Sequence, residues 1–469
     1  MALNYVENRL VGEISVGDHA SLVRTLRPED ISLFAVVSGD VNPAHLDADY
    51  AATDIFHGVV AHGMWGGSLI SAVLGTELPG PGTIYLGQTL KFVHPIRVGD
   101  TITASVTVRS KDEARSRLVL DCRCENQAGE AVILGEAEVI APTKKVRVPR
   151  VVLPDVHLHE RAAHYARLLE AARSAPPIRT AVVHPCDELS IRGALDAAEE
   201  GLIVPVLVGP RAKIEAAACQ AGLSLGSLEL VEAPHSHAAA TAAVALARSG
   251  KVQALMKGAL HTDEVMGAAV AREGGLRTER RMSHVFAFDV PNYRKPLFIT
   301  DAAVNIVPTL EEKRDIIQNA IDLCRALGIS EPKVAILSAV ETISPKLGST
   351  VDAAALCKMA ARGQITGGLL EGPLAFDNAV SREAAATKGI VSAVAGDADI
   401  LVVPDLEAGN MLAKQLIYLA GADAAGLILG ARVPIILTSR ADSLEARMAS
   451  CALAKIFVQR QIEPLKLDV

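Results

Sequence analysis

The segment Ser38-Gly39-Asp40-Val41-Asn42-Pro43-Ala44-His45 sets a carboxylate and an imidazole five residues apart, between two helix-like stretches. Pro43 biases Asn42 away from the helical region and Gly39 frees the chain before Asp40, so both polar tips lie on one loop and can converge. An acid beside an imidazole in that setting is a proton-transfer pair. Taken alone, Asp40 reads equally as a helix cap and His45 as a surface residue. A second segment, Ala61-His62-Gly63-Met64, opens a stretch containing Met64, Trp65, Leu69, Ile70, Val73 and Leu74 that reads as a buried helix closed at Gly75. The first amides of a helix lack internal partners and carry partial positive charge, so the Gly63 N–H is a ready donor to an oxyanion. Acid, base and oxyanion donor are then present together.

A different constellation lies near the C-terminus. Pro434-Ile435-Ile436-Leu437-Thr438-Ser439-Arg440-Ala441-Asp442-Ser443 is a buried strand running into a helix start, which Asp442 or Ser443 can cap. Ligands of α/β sheets gather beyond the carboxyl ends of strands, and a helix N-terminus there attracts anions. Ser439 and Arg440 occupy that spot, and a guanidinium offers a planar fork to phosphate oxygens. Other turns after apolar strands carry glycine with polar side chains: Met256-Lys257-Gly258, residues 300–305, residues 371–379 with Asn378, and Pro404 to Asn410 with Glu407 and Gly409. Together they describe a cleft built from loop tips, with Lys257, Gly258, Asn378, Glu407, Gly409 and Asn410 as candidate substrate contacts. Lys257 reads as readily as a solvated lysine at a strand end. Ser283-His284 leads into a strand, where a histidine is more often a structural hydrogen-bonding group.

The elements that must position these groups fall into two patterns. Ile102, Ala104, Val106 and Val108 alternate with Thr and Ser, and Leu118, Leu120, Cys122 and Cys124 repeat that period across a turn at 111–114. A third strand follows Gly129 and ends before Pro142. This is an antiparallel meander around one helix, an α+β domain over residues 10–140. A basic, proline-bearing stretch, 141–165, reads as an extended linker. From residue 178 onward short apolar runs (178–183, 204–208, 334–340, 400–403, 435–438) alternate with helices, which describes a two-lobed α/β domain, 166–469, with mainly parallel sheets. Thr309 and Glu312 form a capping box, Ile316, Ile317, Ala320, Ile321, Cys324 and Leu327 an apolar face, and Gly328 a stop. Residues 238–247 are an alanine-rich helix.

Length and composition bound the function. The 469 residues suffice for two to four domains. Net charge −8 and 3% aromatic residues argue against a nucleic-acid partner. The seven cysteines are scattered; the one close pair, Cys122 and Cys124 on one side of a strand, reads as core thiols, and the compartment as reducing. Residues 1–20 fit neither a secretory signal nor a transit peptide, and no apolar run reaches membrane-spanning length, so a cytoplasmic location without membrane contact is expected. No His or Cys cluster has zinc spacing, and G-x-G-x-x-G is missing from the expected strand-to-helix turns, so neither a metal nor a nicotinamide cofactor is expected.

Residues 10–140 resemble the MaoC-like hot-dog hydratases, the (R)-specific enoyl-CoA hydratase family, in S-G-D-x-N-P-x-H and H-G-M. The resemblance implies that Asp40 and His45 activate the water added across a trans-2-enoyl thioester, that the Gly63 amide holds the thioester oxygen, that His62 is structural, and that two copies pair with the acyl-CoA site at their interface. A homodimer or higher homo-oligomer is expected. Residues 178–465 resemble the phosphate acetyl/butyryltransferase family, and the segments 371–380 and 437–443 lean toward its butyryl branch. That likeness implies acyl transfer between coenzyme A and inorganic phosphate, with Arg440 holding phosphate and the developing charge, and Ser439 donating to the tetrahedral centre or leaving thiolate. The acetyl branch has a thiol base several residues beyond the arginine. Here Ala446 stands near that place and Asp442 is the tentative substitute. The expectation is a bifunctional enzyme. Two alternatives are an acyltransferase whose hot-dog domain only binds or dimerises, and, from shared architecture, an NAD- and metal-dependent dehydrogenase.

Overall fold

The alternation along residues 101–108 becomes the inner and outer faces of a half-covered strand: in Thr101–Asp112, Ile102, Ala104, Val106 and Val108 all point inward and are buried. The computed structural model describes residues 5–151, 153, 156, 163–437 and 443–462, in two compact units, Met1–Leu158 and His159–Val469.

The first unit is a five-stranded antiparallel sheet in the order His19–Thr25, Thr101–Asp112, Arg117–Glu125, Ala131–Ile140, Ile84–Phe92. The helix Gly63–Thr76 lies across its inner face, with Trp65, Leu69, Ile70, Val73 and Leu74 in one apolar cluster with Leu118, Leu120 and Val139. Glycine lets helix and sheet approach: a Cβ on Gly66 would stand 2.4 Å from Ile133 Cδ1. Cys122 and Cys124 are buried free thiols in this core, pushed up to about 11 and about 12 by burial. The sheet thus encloses the helix as the hot-dog resemblance implies. One difference from the sequence reading is that part of the linker is a strand. Arg147–Pro149 pairs antiparallel with Tyr5–Glu7, where Lys145 meets Glu13 at 2.8 Å. Complementary charge on two short exposed segments is a signal that composition hides, because each segment alone reads as solvated.

The second unit is built on one eleven-stranded mixed sheet. Five strands on one side, Glu229–Glu232, Ile203–Gly209, Ile178–Val183, Ala254–Lys257 and Ile435–Ile436, are parallel. Four on the other, Leu297–Thr300, Ile400–Val402, Lys333–Leu337 and Leu369–Leu374, are also parallel. Asp423–Leu429 and Ser283–Asp289 join these wings through three antiparallel pairings. The two lobes are therefore wings of a single sheet. Apolar runs read as parallel strands because both faces are covered, and an antiparallel joint covered on both faces carries the same signature.

One face of the sheet is sealed by a continuous apolar layer that includes Leu207, Val182, Met256, Leu427, Val285, Phe298, Val402 and Val334 from both wings. On the opposite face the core is split. One cluster, with Val183, Leu255, Ile428 and Ile435, covers the first wing, and another, with Phe288, Ile299, Leu401 and Ala335, covers the second. The capping box of Thr309 and Glu312 is present at the start of Leu310–Ala326, and residues 238–247 lie in the helix Ser236–Arg248. Among the described residues no helix is long and apolar enough to cross a membrane.

Candidate active sites

In the first unit, the loop carrying Asp40 is fixed at every step by short polar residues. Gly39 takes φ 74° and ends the helix Pro28–Ser38, with its amide donating to Ala35. Ser38 Oγ then accepts from the Asp40 amide at 3.2 Å, and Asp40 Oδ1 accepts from the Asn42 amide at 3.2 Å. Asn42 caps the short helix Pro43–Leu46, accepting from Ala44 N at 3.1 Å, and that single turn presents His45. His45 Nδ1 lies 2.8 Å from the Val60 carbonyl, which can only accept, so Nδ1 carries the hydrogen and Nε2 keeps a lone pair.

The second segment closes on the first. His62 is buried at 2% exposure, and its Nε2 donates to the Asp40 carbonyl at 3.0 Å. Its ring lies 4.0 Å, centroid to centroid, from that of His45. One ligand atom from each of Asp40, His45 and His62 falls within 4.8 Å of the others. One nitrogen of each imidazole is held by a backbone carbonyl, so the group is arranged first as a hydrogen-bonded pair of rings beside a carboxylate. Gly63 is the first residue of the helix, and a Cβ there would meet the Phe92 ring at 3.0 to 3.3 Å. Glycine here keeps the helix end and that ring in contact while leaving the leading amide accessible. The three residues singled out from sequence, Asp40, His45 and Gly63, are thus brought to one place. The contributions of His62 and Val60 were not legible in advance, since a backbone carbonyl has no sequence signature.

In the second unit, Ser439, Arg440 and Asp442 lie outside the described residues. On either side of them, Ile435–Ile436 runs parallel to Ala254–Lys257, and Ser443 Oγ accepts from Ala446 N at 3.2 Å at the start of Leu444–Ile462. The cap role shared in the sequence reading between Asp442 and Ser443 is filled by Ser443. Lys257 is buried, in alternation with Leu255 and so toward the split face. Gly258 permits close approach: a Cβ would stand 2.4 Å from the Val183 carbonyl oxygen.

The turn after Leu297–Thr300 meets the helix Leu406–Leu419. Asn410 Nδ2 donates to Ala302 O at 3.3 Å, and a Cβ on Gly409 would lie 3.0 Å from Ala302. Glu407 is exposed in the same helical turn. Asp301, not singled out from sequence, accepts from the Ala303, Val304 and Asn305 amides and from Asn305 Nδ2. Burial nonetheless raises its pKa above the ordinary carboxylate value. Asn378 is fully buried, and neither side-chain polar atom has a hydrogen-bond partner among the described residues. The candidate contacts do not share one end of the sheet. Three reversals separate the strand of Lys257 from that of Thr300, so Lys257 and Gly258 leave at one end and Asp301 to Asn305, Glu407, Gly409 and Asn410 at the other. Alternating strands and turns gives no strand direction, which is why the sequence merged them into a single rim.

Comparison with known proteins finds a family match in each unit. The family profile "Phosphate acetyl/butaryl transferase" matches residues 234–455, and "MaoC like domain" matches residues 16–123. A phosphate acetyltransferase of Rhizobium meliloti is 64% identical over 297 residues, which is 63% of this chain and 94% of that protein. A branched-chain phosphotransacylase from Enterococcus faecalis V583 is 31% identical with TM-score 0.53, covering 60% of this chain and 99% of that one. The R-hydratase PhaJ1 from Pseudomonas aeruginosa is 46% identical with TM-score 0.32, covering 33% of this chain and 99% of that one. The chain belongs to the phosphate acetyl/butyryltransferase family and carries a MaoC-like hot-dog domain ahead of it. Its second unit is a phosphate acyltransferase, and not the dehydrogenase that shared architecture had kept in view.

Proposed function

We propose that the chain is a bifunctional enzyme that hydrates trans-2-enoyl-CoA to (R)-3-hydroxyacyl-CoA in its first unit and exchanges a short acyl group between coenzyme A and inorganic phosphate in its second. The observation that carries the first half is the His45 tautomer: a ring held at Nδ1 by Val60 keeps Nε2 as a base beside Asp40. His45 Nε2 takes a proton from water as the hydroxyl adds at C3. The displaced electron pair moves to the thioester oxygen, where the Gly63 N–H meets it, and C2 then takes a proton from the Asp40–His45 pair.

In the second half, Arg440 binds phosphate and offsets charge on the thioester oxygen, Ser439 donates to the tetrahedral centre or the departing thiolate, and Asp442 is the proposed thiol base. Lys257 and Gly258, which leave the sheet at the same end as the strand Ile435–Ile436, are proposed substrate contacts; Glu407, Gly409 and Asn410 leave at the other end, and Asn378 is fully buried. The 64% identity to a protein named phosphate acetyltransferase favours acetyl over the butyryl preference suggested by the sequence motifs. No resident cofactor is part of this scheme. A homo-oligomer in the cytoplasm fits it: Ile84–Phe92 is a sheet edge on which Ile84, Leu86 and Phe92 are 56, 43 and 51% exposed, and the Phe92 ring is what a Cβ on Gly63 would meet.

The test uses the whole chain. It should consume the enoyl absorbance of crotonyl-CoA without phosphate, and release free thiol from acetyl-CoA only with phosphate. Crotonyl-CoA left intact defeats the first half of the proposal, and acetyl-CoA left intact in phosphate defeats the second.

A further inference from the structure

We infer that His62 is a positioning residue of the hydration site, acting through both members of the proton-transfer pair; this rests on the hydratase reading above. A buried imidazole filling core space would be expected to meet apolar neighbours. His62 instead touches both active residues. Its Nε2–H donates to the carbonyl of Asp40 itself, across 22 positions of sequence, at 3.0 Å. Its ring lies 4.0 Å from the His45 ring, tilted by 36°, and 5.1 Å from that of Phe34 on the helix that leads into the Asp40 loop. As the residue before Gly63, it is also the N-cap of the helix whose first amide faces the developing oxyanion. Thus one side chain and its own backbone tie acid, base and oxyanion donor into a single rigid unit.

The remaining nitrogen sharpens the assignment. With the hydrogen on Nε2, Nδ1 is a bare lone pair, and it is buried with no hydrogen-bond partner among the described residues. A buried acceptor left unsatisfied costs stability, and such groups call for an explanation. Here the explanation is the donation itself: committing the ring's one hydrogen to the Asp40 carbonyl leaves Nδ1 as the unpaired acceptor. His62 therefore has two effects, holding the Asp40 backbone by donation and packing its ring against that of His45. Neither needs contact with substrate.

The experiment is steady-state hydration of crotonyl-CoA by the full chain carrying His62→Gln, His62→Asn, His62→Phe or Asp40→Asn, with phosphate-dependent CoA release as the check that each variant is folded in its second unit and thermal melting as the check on the first. Gln can place an amide donor near the position of Nε2; Asn is too short and Phe has no donor. His62→Phe and His62→Asn should lose about 10- to 100-fold in kcat, the scale of a roughly 1 Å misplacement, with KM changed by less than about threefold. His62→Gln should recover a substantial part of kcat. A residue that only fills space would give the opposite order, with Phe best tolerated. If His62→Phe does not fold, the Gln to Asn ratio decides, and equal kcat for the two overturns the inference. Full hydration by His62→Phe with an inactive Asp40→Asn also overturns it while leaving the hydratase reading in place. Wild-type protein inert toward crotonyl-CoA, or Asp40→Asn as active as wild type, sinks the hydratase reading itself.

Discussion

The imidazole of His284 fills the space that a side chain at position 426 would need: a Cβ on Gly426 would stand 2.6 Å from His284 Nε2. The two residues sit on adjacent antiparallel strands at the joint between the wings, with His284 opposite Ile428 and Gly426 opposite Phe286. His284 packs edge-on against Phe286 and is 1% exposed, and its Nδ1 has no hydrogen-bond partner among the described residues. Burial alone pushes its pKa down from 6.5 to about 3.

That depression makes the second unit acid-sensitive. Between about pH 6.5 and pH 3 the unfolded chain binds a proton at His284 and the folded chain does not, so stability falls as pH is lowered through that window and rises again on return. The gap is worth roughly 4 to 5 kcal/mol in full. In His284→Phe the pH dependence of urea unfolding for the second unit should flatten between pH 7 and 4, and an unaltered slope would show that other groups carry the acid response.

Gly135 is a stricter packing constraint than any residue of the sites. A Cβ there would lie 2.0 Å from the Thr89 carbonyl oxygen on the neighbouring strand, and backbone cannot give way as a side-chain tip can. Gly135→Ala should destabilise the first unit by about 3 kcal/mol or more by forcing the edge strand Ile84–Phe92 from its partner. Gly66→Ala, which meets only the Ile133 side-chain tip and Ile96, should cost about 1 to 3 kcal/mol. Denaturant midpoints of the two variants, measured side by side, test the ranking.

At Gly63, a methyl group must push against Phe92 or move the helix end. Gly63→Ala is expected to lower kcat for hydration by about 10-fold or more, part of the roughly 10² to 10³ that loss of an oxyanion donor costs. Hydration kinetics at saturating crotonyl-CoA give the result, and an unchanged kcat would show that the helix end keeps its position despite the added methyl group.

The two activities should separate cleanly by mutation. Asp40→Asn should abolish hydration and spare phosphate-dependent CoA release, whereas Arg440→Ala should do the reverse. Loss of both activities in either variant would contradict two independent chemistries in one chain.

Much of the first site was legible because its chemistry is written in contiguous residues. Gly39, Asp40, Asn42, Pro43 and His45 each carry a local backbone preference that the structure uses in sequence order. What could not be read were partners that topology supplies, namely the Val60 carbonyl under His45 and the His62 ring reaching back to Asp40. In the second unit, strands and helices were legible from apolar runs and capping, as at Thr309 and Glu312. The antiparallel joint was not, because burial on both faces erases the alternation that distinguishes strand direction. His284, expected to be a structural hydrogen-bonding group, lies within Ser283–Asp289, but its Nδ1 is buried without a hydrogen-bond partner among the described residues, and the room for its ring is left by Gly426, far away in the chain.

The split apolar layer of the second unit has a mechanical meaning. Leu427, Val285 and Phe298 bind the two wings together on one side like the spine of a book, and the facing side has separate pages. Bending the sheet toward its divided side would put the shared layer on the convex face and spread the buried contacts among Leu427, Val285 and Phe298, so that layer braces the joint against such bending. The sheet is braced across both wings from one side only, and His284 sits at the joint on the other.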